Sequence, residues 1–103
     1  AEEFKYCREL CRALGVRSLA ALSVAKKIKE LGLLDGKNPR TCAAVAVSLA
    51  MKLQSGSSVW KNMVEKAEIG EPTIKKGLKI VESHLNVILS GTEHHLPMEK
   101  ASN

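Results

Sequence analysis

Three lysines, Lys75, Lys76 and Lys79, follow a Pro72-Thr73 pair, which itself follows a short turn, Glu68-Ile69-Gly70-Glu71. Side chains of this type attract anions, above all the phosphates of a nucleic-acid backbone. The proline marks the opening of a helix, because its missing N–H has no partner in the first turn anyway. A helix that follows another after a four-residue turn with glycine fits a helix-turn-helix. In that motif the first helix packs across the second, and the second puts its N-terminal residues into the major groove. On this reading Pro72, Thr73 and Lys75 or Lys76 lie nearest the bases, while Lys61 and Lys79 lie nearest the backbone. A plain helical hairpin with a solvated lysine face gives a similar pattern, and spacing alone leaves both readings open.

Other chemistry finds little support. Cys7, Cys11 and Cys42 lack metal-ligand spacing, and their places on apolar faces suit buried reduced thiols in a reducing compartment. His84 flanks an apolar stripe, where a surface histidine is commoner than a catalyst, and His94-His95 fall in an expected tail. There is no phosphate loop, carboxylate pair or metal-binding pattern. The expectation is therefore a chain that is not an enzyme, with no cofactor, no metal site and no small-molecule substrate.

The charge distribution agrees with an anionic partner. The 103 residues carry a formal charge of +5. Residues 1–35 hold seven basic and five acidic side chains, whereas residues 36–56 hold Lys37, Arg40 and Lys52 with no acid. Residues 57–80 hold five basic and three acidic side chains, and residues 81–103 one and three. The excess is central, around Lys37 and Arg40, and a basic patch favours nucleic acid.

The elements that must position these cations are helices. Phe4, Cys7, Leu10, Cys11 and Leu14 predict a helix over about 2–14. Ala21, Val24, Ala25, Ile28 and Leu31 predict an inward stripe on a second over about 17–31. The third, about 39–53, is apolar all round from Cys42 to Met51 except at Ser48. Such a segment is buried on every side, and it is too short to cross a bilayer. Asn38 suits its cap and Pro39 its first position. A short fourth helix, about 58–67, carries Val59, Met63 and Ala67 on one side, with Trp60 beside them. The fifth, about 72–89, has Ile74, Leu78, Val81, Leu85 and Ile88 in line. Gly77 interrupts it at a cost of about 1 kcal/mol relative to Ala, which close contact with a neighbouring helix would explain. No strand pattern occurs. The expected organisation is one five-helix domain over 1–90 and a flexible tail over 91–103.

Four stretches together resemble the second cyclin-like repeat of the general transcription factor IIB family. They are Phe4…Cys7…Leu10-Cys11; Ala21…Val24-Ala25-Lys26-Lys27…Glu30-Leu31; Gly36-Lys37-Asn38-Pro39-Arg40-Thr41-Cys42-Ala43-Ala44 through Ala50; and Ala67 through Lys76. The family pattern runs roughly Gly-Arg-Ser-Pro-x-x-x-Ala-Ala-Ala-Ala-Ile-Tyr-x-Ala, followed by a helix-turn-helix ending in Val-Thr-Ile-Arg. The resemblance implies an all-α, cyclin-like fold of five helices around a buried third. It implies a nuclear transcription initiation factor that bridges promoter DNA, the TATA-binding protein and RNA polymerase. Pro72 stands where the family has a base-contacting Val, Lys75 where it has a base-contacting Arg, and Thr73 matches. Lys37 and Arg40 fall where the family meets DNA phosphates. Trp60 stands in place of a polar residue, and Glu68 in place of a turn Gly. The alternative is a cyclin-like protein-interaction module, or the related RNA polymerase III factor, without sequence-specific DNA contact.

Overall fold

The computed structural model describes residues 1–56 and 60–92. They form six α-helices and, among the described residues, no strand. The helices are α1 (Glu2–Leu14), α2 (Leu19–Leu31), α3 (Pro39–Ser55), α4 (Trp60–Ala67), α5 (Glu71–Glu82) and α6 (Leu85–Thr92). The architecture is all-α and consistent with a cyclin-like domain.

α3 is the centre of the fold. Every residue from Ala43 to Ala50 is buried, and α1, α2, α4 and α5 pack around it. Its start is fixed as its sequence requires: Asn38 Oδ1 accepts the Arg40 N–H at 2.8 Å, with Pro39 in the first turn. Ala43, Ala44, Ala46 and Ala50 admit close neighbours, while Val45, Val47 and Leu49 fill the gaps between them. Full burial of each of these larger side chains contributes about 1.5–3 kcal/mol. Ser48, the polar exception, is also fully buried, and its hydroxyl has no hydrogen-bond partner among the described residues.

α1 buries the stripe its spacing predicts, with Cys7, Leu10 and Cys11 innermost and Phe4 and Leu14 half-buried. α2 departs from expectation at both ends. It opens at Leu19 rather than Arg17, with Leu19 exposed, and Leu31 is 38% exposed instead of inward. Gly32, at φ 66°, turns the chain away one residue after Leu31, and Leu34 enters the core instead.

The largest correction concerns the expected fifth helix over 72–89, which is two helices. The Ser83 hydroxyl donates to the Ile80 carbonyl at 2.6 Å. The His84 N–H bonds only three residues back, to the Val81 carbonyl at 2.9 Å. A side-chain donor that engages a nearby backbone carbonyl offers the chain an alternative to helical continuation. The tightened turn redirects the axis, so that α5 lies on α3 and α6 on α2. The apolar stripe survives the break: Ile74, Leu78 and Val81 are buried on α5 and Ile88 on α6. Gly91 and Thr92, expected in the tail, close α6. The rest of the expected tail, with His94 and His95, and the expected α4 residues Ser58 and Val59 lie outside the described residues.

Candidate nucleic-acid interface

The contact that places α5 against the core is unusually close. A Cβ added at Gly77 would stand 2.6 Å from Val45 Cγ2, nearer than packed carbon atoms come. Only glycine lets the two helices meet there. This is the close contact expected of a glycine in mid-helix, and its position decides what meets nearby. Lys37, just before α3, and Thr41, in its first turn, line a cleft of about 170 Å³ with Thr73 and Lys76 of α5, with Leu34 and Gly77 in its wall.

Three of the eight site residues read from the sequence, Lys37, Thr73 and Lys76, therefore share one cleft. Lys37 and Lys76 are exposed and form no ion pair among the described residues. Two ammonium groups with threonines between them suit an anion that accepts several hydrogen bonds, such as a phosphate. Thr41 is a member that sequence reasoning missed. Its signal was its place four residues after Lys37 in the same polar stretch.

The other candidates are dispersed. Pro72 is exposed as the second residue of α5, after Glu71. Lys75 is exposed, and its Nζ is 2.7 Å from the Glu71 carboxylate one turn earlier. Lys79, farther along α5, and Lys61, on α4, are exposed and in no ion pair among the described residues.

Arg40 lies away from Lys37, although the two are three residues apart. Its Nη1 donates to Glu68 Oε1 at 3.0 Å, and its guanidinium carbon stands 4.9 Å from the centre of the Tyr6 ring. With Tyr6, Leu10, Ala43, Lys66 and Ala67 it lines a second cleft of about 240 Å³ between α1, α3 and α4. Glu68 has φ 58°, in the left-handed region that favours glycine. Neither partner of Arg40 was legible in the sequence, because Tyr6 and Glu68 are remote along the chain.

Cys7 and Cys42 are held as thiols, whereas the hydrogen bond with Cys7 lowers the Cys11 thiol. Cys7 and Cys11 are core residues. A hydrogen bond to Cys11, aided by burial, pushes the Cys7 thiol well above its usual range. Burial also raises the half-buried Cys42 thiol. Among the described residues no three His, Cys, Asp or Glu side chains cluster to hold a metal, and no helix is long and apolar enough to cross a membrane.

No family model matches the chain. It is, however, similar to transcription initiation factor IIB. Over 77 residues, 75% of this chain, it is 27% identical to the Homo sapiens protein, and the Mus musculus protein matches equally. Over 67 residues, 65% of this chain, it is 31% identical to the protein of Methanococcus maripaludis strain C7. The matches span 24% of the mammalian proteins and 20% of the archaeal one, so the chain spans about a quarter of the length of these curated relatives or less.

Proposed function

We propose that this chain is a DNA-binding domain of the transcription initiation machinery, built like the second cyclin-like repeat of the transcription factor IIB family. The observation that carries the reading is the cleft in which Lys37, from before α3, meets Thr73 and Lys76 on α5. There a backbone phosphate would be held by two ammonium groups and the exposed Thr73, with the buried Thr41 behind them. α4, the turn and α5 take the places of a helix-turn-helix along the chain, although α4 packs chiefly on α1 and α3, with Pro72 and Lys75 nearest the bases and Lys61 and Lys79 along the strand. Lysine is a point charge without arginine's planar fork, so the domain attracts phosphate more than it reads guanine. The partners on this reading are promoter DNA, the TATA-binding protein and RNA polymerase, in a nucleus. The chain is a binding module and not an enzyme, with no cofactor.

The similarity to human and archaeal transcription initiation factor IIB supports the general role. A protein-interaction role finds support of its own in the second cleft, whose floor of Leu10, Ala43 and Ala67 is apolar. Salt dependence separates the two. Affinity for a duplex should fall linearly on a logarithmic salt scale, and replacing Lys37 and Lys76 by Ala should lower the slope by about 0.9 for each phosphate left without its lysine. A slope that the double variant leaves intact would remove the cleft from the interface, and no binding with the TATA-binding protein present would remove the DNA reading.

A further inference from the structure

The family resemblance puts Arg40 beside a DNA phosphate. Its surroundings assign it another task. The guanidinium is held from two sides, by the face of Tyr6 on α1 and by the carboxylate of Glu68 between α4 and α5. Glu68 itself has a backbone conformation that a side chain disfavours, at φ 58°. An exposed ion pair on its own contributes little, and here the two side chains are 45% and 72% exposed. Stacking on a ring changes the balance, because a guanidinium already oriented by an aromatic face loses less freedom when it binds a carboxylate. The three groups come from three separate parts of the chain. They converge on the turn that sets how α5 leaves α4.

We infer that Tyr6, Arg40 and Glu68 form a clasp that fixes the α4–α5 turn, so that Arg40 is a positioning residue of the nucleic-acid interface and not a phosphate ligand. The inference rests on the nucleic-acid reading for its consequence, but the clasp itself can be tested without DNA. Arg40 anchors the turn to the first turn of α3, the same stretch that carries Lys37 and Thr41. The clasp thus ties one wall of the phosphate cleft to the turn that delivers the other. It also explains how a glutamate stands where a turn glycine is expected: its carboxylate supplies a tether that glycine lacks.

Two measurements on the 103-residue chain decide the matter. The first is amide exchange at Glu68 and Thr73, whose N–H groups bond the Val64 and Gly70 carbonyls at 2.9 and 3.1 Å on either side of the turn. Arg40→Gln and Glu68→Gln should each speed exchange there, and the double variant should be no faster than either single one. Exchange as slow as in the parent chain would overturn the clasp, whether or not the chain binds DNA. The second is binding to a random-sequence duplex across a salt series. Arg40→Gln should weaken binding at every salt concentration and leave the slope unchanged, whereas removing a true phosphate ligand lowers it by about 0.9. Arg40→Lys keeps the charge but not the planar stack, so it should behave as Arg40→Gln does. A lower slope for Arg40→Gln, restored by Arg40→Lys, would make Arg40 a phosphate ligand and sink the inference. A parent chain that binds no duplex would instead remove the nucleic-acid reading, leaving the exchange result to judge the clasp.

Discussion

Two clefts open on either side of the first turn of α3, and they treat their cations differently. On the α5 side Lys37 and Lys76 share a cleft with Thr41 and Thr73, and no carboxylate lines it among the described residues. On the α1 and α4 side Arg40 is engaged by Glu68 and Tyr6, and Glu9 lines the same cleft as Lys66. Both sides are basic when residues are counted along the chain. Only on the first side do two cations line the cleft without a carboxylate among the described lining residues. A basic patch is therefore defined by which cations lack an acidic neighbour in space, and the count along the sequence blurs that distinction.

The severest way to break this comparison is to remove the wall the clefts share. Ala46 is fully buried at the centre of α3. Ala46→Asp would bury an unpaired carboxylate, and the expected loss of more than about 4 kcal/mol is most of a small domain's stability. Circular dichroism should show an unfolded chain, and a cooperative melt near the parent's would contradict the core assignment.

A smaller change should affect the α5 side alone. Gly77→Ala sets a methyl against Val45, a strain of about 1–3 kcal/mol that outweighs the gain of about 1 kcal/mol in helix propensity. The melting temperature should fall by several degrees. In a Val45→Ala background the same substitution should become neutral or stabilising. If Gly77→Ala destabilises both backgrounds equally, the close approach is not its cause.

The smallest effect sharpens the comparison within α5 itself. Lys76 lines the cleft, while Lys75 lies beside Glu71. Lys76→Ala should weaken binding to a random-sequence duplex more than Lys75→Ala, as measured by gel shift at fixed salt. Equal weakening would argue that the cleft has no privileged role.

Much of the fold was legible because burial leaves a compositional mark. The run from Cys42 to Met51 could only be an interior helix, and Asn38-Pro39 announced its start. Gly77 was recognisable as a packing glycine because nothing else excuses it in a helix. The break at Ser83 and His84 was not legible from periodicity, since the steps of three and four residues run on through Ile88 regardless. What changes there is the packing partner, from α3 to α2, and a hydrophobic pattern does not say which neighbour it faces. The site was half legible for a similar reason. Residue types and turn spacing pointed to α5. The meeting of Lys37 with Lys76, and of Arg40 with Tyr6 and Glu68, depends on segments remote in sequence that no local pattern links.

The bare Cα of Gly77 also has a mechanical meaning. α5 comes close to Val45 of the core at that residue, directly after Lys76 and two before Lys79. On the proposed DNA-binding reading, torque from a duplex would act about this point as about a fulcrum, with Pro72–Lys76 on one arm and Lys79 on the other. Because Val45 sits midway in a helix buried on all sides, the fulcrum itself cannot yield. A pull on either arm is then passed to the opposite one and to the Ser83–His84 turn, where α5 gives way to α6.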